Sequence, residues 1–107
     1  MTQNHLKQLL QEFKTGIEGL YGVRLKGLYL YGSYARGEQD SNSDLDVLVV
    51  LDDYKRYGEE VEKTGQLSSD LSLKYGVTIS SVFMRESEWL HGESPFLRNV
   101  RPEAKAA

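Results

Sequence analysis

Residues 31–50 read YGSYARGEQDSNSDLDVLVV, and this stretch decides most of what the sequence indicates about the fold. An apolar run ends at Gly32-Ser33, a polar stretch follows, and Asp44 and Asp46 open a second apolar run. The second run stays apolar after its acids, which is typical of a central strand covered on both faces. The stretch therefore predicts two strands joined by a turn, with small residues ending one strand and two acids starting the other.

Hydrophobic periodicity along the rest of the chain predicts an α+β domain with an α/β-like order of elements. The expected elements are a helix over 4–20, a strand over 25–31, a turn over 33–43 with a helical turn at 34–36, a strand over 44–51, a helix over 55–75, a strand over 77–84, a helical turn over 86–91 and a short helix over 94–101. We expect them to form one small sheet in a single domain over residues 1–107. The final EAKAA reads as a short low-complexity tail.

Composition narrows the classes of function. The chain has 107 residues, no cysteine and a net charge of −3 from 13 basic and 16 acidic residues. Without cysteine, disulfides and thiolate metal sites are excluded, so any metal must use oxygen or histidine ligands. The acidic balance argues against direct nucleic-acid binding, which usually needs a basic face. No apolar run suits a signal peptide or a membrane span, so we expect a cytoplasmic protein without membrane contact.

The spacing of Asp44 and Asp46 indicates a metal site. Side chains at positions i and i+2 of a strand point to the same face, with Cα atoms about 7 Å apart. Two carboxylates on one face repel each other and lower the stability of the fold unless water solvates them or a cation binds them. Mg²⁺ binds such oxygens and fills its other positions with water or phosphate. One or two ions held there would suit an in-line phosphoryl or nucleotidyl transfer.

Gly32 and Ser33 predict the complementary phosphate contacts. Glycine lets the backbone approach a phosphate, and the Ser33 hydroxyl and N–H stand at the start of a predicted helical turn, where anions bind. Arg36, one turn later, would add a charge-assisted contact to the same phosphates. Each fragment alone also fits a simpler structure, namely a surface turn for Gly-Ser and solvated acids for Asp-x-Asp. Together they indicate a metal-dependent phosphate site, and the residues by themselves lead no further.

The stretch GSYARGEQDSNSDLDVLVV resembles the signature of the polymerase-β-like nucleotidyltransferase superfamily, and its ARG and SDLDVLV segments are similar to the minimal nucleotidyltransferases in particular. The resemblance implies a small mixed β-sheet flanked by helices. It also implies Mg²⁺-dependent transfer of a nucleoside monophosphate, AMP in our preferred interpretation, from ATP or another NTP to a hydroxyl. Gly32 and Ser33 would then contact the triphosphate, together with Arg36, and Asp44 and Asp46 would be the catalytic metal ligands.

The sequence departs from the family pattern at the third carboxylate. Active members usually carry an acid on the next strand, which helps to hold the metal and can act as a base. Here that strand reads GVTISSVFM, with Ser80 at the expected place. Glu38, Glu86 and Glu88 are the substitutes that the sequence offers. Loss of a general base typically slows a reaction by about 10²–10⁴-fold without abolishing it.

Three functions are compatible with this pattern. The one that we favour is a working enzyme of the protein adenylyltransferase type, by analogy the antitoxin of a pair with a HEPN-type toxin. A partner would bring the hydroxyl, because the chain leaves few residues to enclose an acceptor. The second is a catalytically impaired protein that binds Mg²⁺ and NTP as a sensor or regulatory partner. The third is a vestigial site on a scaffold subunit. Seven tyrosines are compatible with a homo- or hetero-oligomer.

Overall fold

The computed structural model describes all 107 residues. Its elements, in chain order, are α1 (Gln3–Tyr21), a 3-10 turn (Gly22–Arg24), β1 (Leu25–Tyr31), α2 (Ser33–Arg36), β2 (Leu45–Leu51), α3 (Tyr57–Tyr75), β3 (Ile79–Arg85), α4 (Glu86–His91), α5 (Pro95–Val100) and β4 (Lys105–Ala106). The four strands form one mixed sheet in the order β3-β2-β1-β4. β1 is antiparallel to β2 and β4, and β2 is parallel to β3. The expected fold class, a small mixed sheet flanked by helices, is confirmed.

β2 is the central strand because its side chains are apolar toward both faces of the sheet. Val47, Val49 and Leu51 face one layer, whereas Leu48 and Val50 face the other. On the first side, α1 and α3 cover the sheet. On the second side, α4 and α5 cover it. β2 therefore contributes side chains to both layers of the core, and it starts at the two acids that the sequence pattern indicates as a site.

The long helix α1 follows the periodicity that predicts it. Its buried residues recur at every fourth position, as Leu9, Phe13, Ile17 and Tyr21. Its first turn is capped by Thr2, whose side chain accepts a hydrogen bond from a backbone N–H three residues later. The helix is thus held at one end by a cap and along its length by burial against the sheet. None of the helices combines the length and the apolar character that a bilayer crossing requires.

The tail is where the structure differs most from the sequence-based expectation. Lys105 and Ala106, which belong to the segment that reads as a low-complexity tail, form β4 against the outer edge of β1. The Ala107 N–H also donates to the Leu28 carbonyl at 2.9 Å. Without these contacts β1 would present a row of unpaired backbone groups, so pairing with even a short segment satisfies them. Strand pairing, which composition does not encode, gives this low-complexity segment a defined position.

Candidate active site

Three neighbouring strands bring the predicted acids and the glycine–serine pair to one edge of the sheet. Tyr31, the last residue of β1, pairs with Asp46 of β2, and Asp46 pairs with Ser80 of β3. Residues paired across strands point to the same face, so these three side chains lie in one row on the side of α4 and α5. Gly32 and Ser33 follow Tyr31 directly and are therefore next to Asp46. Asp44 is exposed and lies just before β2 rather than on it.

Gly32 is required at its position by both its backbone and its surroundings. Its φ of 76° and ψ of −157° lie in a region that only glycine adopts readily. A Cβ atom placed there would contact the Asp46 carboxylate, with Asp46 Cγ at 3.1 Å and Oδ2 closer still. The glycine therefore lets the backbone of the loop and the carboxylate of the next strand approach each other.

A single helical turn, α2, follows this glycine and arranges the predicted phosphate contacts. The N–H groups of Ala35 and Arg36 both donate to the Gly32 carbonyl at 3.1 Å, which closes the turn. Ser33 is the first residue of the turn and is partly exposed. The Arg36 side chain points back over the loop, where its Nη1 lies 3.0 Å from Glu103 Oε2 and its Nε lies 3.3 Å from Glu38 Oε1.

Negative charge is concentrated around Asp46. Burial is the main cause that raises the pKa of the Asp46 carboxyl, and the neighbouring charges of Asp44 and Glu103 raise it further. The Arg36 guanidinium lowers it, but less strongly, and no hydrogen bond of the chain offsets the carboxylate charge. A carboxylate that is partly desolvated and next to two like charges gains most from a bound cation.

The donor set fits Mg²⁺ as an ion shared between protein and nucleotide. No group of three or more acidic or histidine side chains converges closely enough to hold a metal by itself. Mg²⁺ is commonly bound by one or two carboxylates, with waters and substrate phosphates completing its shell. Asp44 and Asp46 offer two carboxylates, and the phosphate contacts predicted for Gly32 and Ser33 are adjacent. These residues would therefore hold the ion if a nucleotide supplied further oxygens.

Two of the three proposed substitutes for the third carboxylate, Glu86 and Glu88, lie far from Asp46 and Ser80. Ser80 is directly opposite Asp46 and is neutral. Glu86 and Glu88 follow the far end of β3, and Glu88 is engaged with Arg85 in a capping box. At about 3.3 Å per strand residue, that end is about 17 Å from Ser80. Glu38 is exposed in the loop and pairs with Arg36.

Glu103 is a site residue that sequence reasoning missed. Its carboxylate accepts hydrogen bonds from the Gly32 N–H at 2.5 Å and from Arg36 Nη1 at 3.0 Å. It reaches the loop because Lys105 pairs with Leu30, and the same register continued by two residues places Glu103 opposite Gly32. Nothing in the segment EAKAA signals this contact, since it arises from strand pairing between distant parts of the chain.

The site is an open edge of the molecule rather than a cavity. The largest of the five principal clefts, about 1000 Å³, lies between α1 and the end of α3. Its lining residues are His5, Lys7, Gln8, Gln11, Glu12, Lys74 and Tyr75. None of the five principal clefts is lined by Gly32, Asp44 or Asp46. The chemistry of the side chains, and not the depth of a pocket, therefore marks this edge as the candidate site.

The chain is similar to several known proteins over most of its length. Residues 6–103 match the nucleotidyltransferase domain family. MJ0604 of Methanocaldococcus jannaschii, named as a candidate protein adenylyltransferase, is 34% identical over 102 residues, which cover 92% of this chain and 94% of that protein. A solved structure described as a candidate minimal nucleotidyltransferase is 26% identical, with a TM-score of 0.65 over 98% of this chain and 95% of that chain.

A more distant neighbour shares the fold alone. A crystal structure of a toxin–antitoxin with AMP-PNP has a TM-score of 0.59 at 23% identity, over 99% of this chain and 72% of that chain. The family match spans most of this chain, so the expectation of a nucleotidyltransferase-like enzyme is confirmed at the level of the family. This chain therefore belongs to the nucleotidyltransferase domain family, and it has the polymerase-β-like fold of the minimal members that its sequence resembles.

Proposed function

We propose that this chain is a Mg²⁺-dependent nucleotidyltransferase that transfers AMP from ATP to a hydroxyl of a partner protein in the cytoplasm, with residues 1–107 acting as one minimal domain. The observation that carries the proposal is the position of Asp46 beside the Gly32-Ser33 loop, with Asp44 two residues before it. Oxygen ligands for a cation and donors for a phosphate are thereby adjacent at one open edge.

Each residue has a distinct role in this proposal. Asp44 and Asp46 would hold Mg²⁺, which neutralises charge on the phosphates when it is bound. Gly32 allows close approach of the backbone, the Ser33 hydroxyl donates to a phosphate oxygen, and Arg36 adds a charge-assisted contact. In the transfer, the acceptor oxygen bonds to the α-phosphorus while the bond from that phosphorus to the bridging oxygen of the β-phosphate breaks. Pyrophosphate leaves, and the proton of the hydroxyl passes to water.

A protein acceptor is supported by the nature of the relatives and by the openness of the site. MJ0604 is named as a candidate protein adenylyltransferase, and one structural neighbour is a toxin–antitoxin with AMP-PNP. An open edge can meet a side chain that another protein presents. We therefore propose a toxin partner of the HEPN type, with a tyrosine hydroxyl as acceptor, by analogy with the family.

Ser80 favours one alternative function. Because a neutral residue stands opposite Asp46, the chain lacks the carboxylate that usually helps to hold the metal and to remove the acceptor proton. In this alternative the chain binds Mg²⁺ and NTP without turnover and regulates its partner according to nucleotide supply. The two functions share the binding site and differ in whether a covalent product forms.

The test uses ATP labelled either on its α-phosphate or on its γ-phosphate, with Mg²⁺ and the product of the neighbouring gene as acceptor. The proposal expects the α-label to become attached to the partner and the γ-label to remain free, because a nucleotidyl group is transferred. Asp46→Asn should abolish the labelling, whereas Asp70→Asn, which removes the same charge from an exposed position of α3, should not. Retained ATP binding without any labelling would favour the regulatory alternative.

A further inference from the structure

Glu103 takes up two of the groups that the proposed function assigns to the nucleotide. Gly32 and Arg36 both donate to the same oxygen of the Glu103 carboxylate. The Glu103 side chain is only 21% exposed, so the contact lies inside the edge of the site. Backbone N–H groups and a guanidinium are also the donors that bind phosphate oxygens most readily. A carboxylate therefore stands where an anionic ligand is expected.

The position of Glu103 follows from the fold rather than from a chance rotamer. The Glu103 and Ala104 N–H groups both donate to the Val100 carbonyl, which turns the chain after α5. Lys105 then pairs with Leu30, and this register brings Glu103 opposite Gly32. The turn after α5 and the pairing of β4 with β1 together place the Glu103 carboxylate beside Gly32.

The single N–H of Gly32 cannot donate to two anions at once, and the Arg36 Nη1 that donates to Glu103 is occupied as well. A phosphate oxygen that approached Gly32 and Arg36 would meet the negative charge of the Glu103 carboxylate, which already contacts both residues. We propose that Glu103 is an internal competitor that occupies the phosphate position of the free protein, so that nucleotide binds only as the carboxylate leaves Gly32 and Arg36. This inference rests on the proposed function, since it concerns the same phosphate contacts.

Glu103→Asp is the decisive variant because it keeps the charge and shortens the side chain by one methylene. An aspartate cannot reach the Gly32 N–H from the same backbone, so the donors become free without a change in net charge. The probe is inorganic tripolyphosphate with Mg²⁺, which carries no base and needs no acceptor. The expected result is a Kd lower by about three- to tenfold in Glu103→Asp than in the wild type, because a charge-assisted hydrogen bond no longer competes.

Matched measurements separate this account from its competitors. Glu93→Asp shortens an exposed glutamate in the loop between α4 and α5, and should leave the Kd unchanged. The amide proton of Gly32, observed by NMR without ligand, should move in Glu103→Asp and not in Glu93→Asp. If the β4 amides show that Glu103→Asp has lost its edge strand, Glu103→Gln keeps the side-chain length and removes the charge, and it should also lower the Kd because a neutral amide oxygen competes with phosphate more weakly than a carboxylate does.

Two different results would contradict the inference, and they differ in what they imply for the proposed function. An equal or higher Kd in Glu103→Asp would overturn the inference, since Glu103 would then be a neutral neighbour or a residue that positions the loop for the nucleotide. The proposed function would survive that result, because the wild type would still bind the probe. Absence of tripolyphosphate binding by the wild type and all variants would overturn the inference and the proposed function together.

Discussion

At the scale of single residues, Asp46 suits the proposed metal site, but its partly buried charge makes the folded protein less stable. Its pKa is raised by burial and by the charges of Asp44 and Glu103, so the ionised form is disfavoured in the folded protein. A group whose folded-state pKa is raised contributes stability that is fully present below the unfolded pKa and is lost as the pH rises. As the pH rises and the carboxyl ionises, Asp46 therefore destabilises the protein in the absence of a cation.

This predicts that Asp46→Asn raises the midpoint of thermal unfolding at neutral pH in a chelating buffer. The amide keeps the shape of the side chain and removes the charge that burial penalises. Asp70→Asn is the control, since that carboxylate is exposed on α3 and accepts a hydrogen bond only from the Gln66 side chain in the preceding turn. Calorimetric unfolding scans measure the difference. A lower midpoint for Asp46→Asn than for the wild type would contradict the account.

Gly32 allows a second prediction at this scale, with Gly37 as its matched control. Both glycines have positive φ, 76° and 72°, but only Gly32 faces a carboxylate where its Cβ would be. Gly32→Ala should lower the free energy of unfolding by about 1–3 kcal/mol and should also weaken nucleotide binding. Gly37→Ala should cost about 1–2 kcal/mol and leave nucleotide binding unchanged. Equal effects of both variants on binding would show that the contact with Asp46 is unimportant.

The residues of the site were predictable from the sequence to different degrees. Spacing alone pointed to Asp44 and Asp46 as a pair, and the β2–β3 register places Ser80 opposite Asp46, where the third carboxylate was expected. Their roles in catalysis stay predictions. Glu103 could not be found in this way, because its contact with Gly32 depends on a pairing between segments about 70 residues apart.

At the scale of elements, β3 decides whether the site is complete. It runs parallel to β2 and presents Ser80 where an acid would complete the set. Ser80→Asp should therefore increase the rate of label transfer by about 10²–10⁴-fold, if the missing group is a general base. Ser80→Asn has a similar size without the charge and should give no increase. A rate for Ser80→Asp equal to that of the wild type would mean that the third carboxylate is dispensable here or is supplied by the partner.

The elements themselves followed from the sequence wherever burial dictates the pattern. β2 and α1 were predicted to within two residues, because a continuous apolar run and a four-residue repeat have few other interpretations. β3 begins at Ile79 rather than at Val77, since the Val77 N–H still bonds to Ser72 at the end of α3. β4 was missed, since two residues paired at an edge carry no periodicity that a sequence could reveal.

At the scale of the whole molecule, a buried contact joins the two long helices. The Tyr21 hydroxyl at the end of α1 donates to Glu60 Oε1 in α3 at 2.9 Å, and Glu60 is 4% exposed. Burial, followed by the interaction with Glu60, raises the pKa of Tyr21 well above its usual value of 10.0. Burial is likewise the main cause that raises the pKa of Tyr31 to about 12. Folding thus retains tyrosine protons that the unfolded chain releases at alkaline pH.

Stability should therefore fall as the pH rises above about 10, since the unfolded state loses protons that the folded state keeps. Tyr21→Phe should make this fall less steep and should cost about 1–3 kcal/mol at neutral pH, because a buried acceptor on Glu60 loses its donor. Tyr29→Phe is the control, because Tyr29 contacts Trp89 through its ring and phenylalanine keeps that ring. Chemical denaturation at several pH values measures both effects. Identical pH profiles for Tyr21→Phe and the wild type would contradict this assignment.

The open edge formed by Gly32, Ser33, Asp44 and Asp46 is expected to bind a nucleotide together with Mg²⁺. Calorimetric titration with ATP, in Mg²⁺ and in chelator, tests it most directly because no partner is needed. Mg²⁺ should tighten ATP binding to the wild type by about tenfold or more, and Asp46→Asn should remove this Mg²⁺ dependence. ATP affinity that is the same with and without Mg²⁺, in both the wild type and Asp46→Asn, would contradict it.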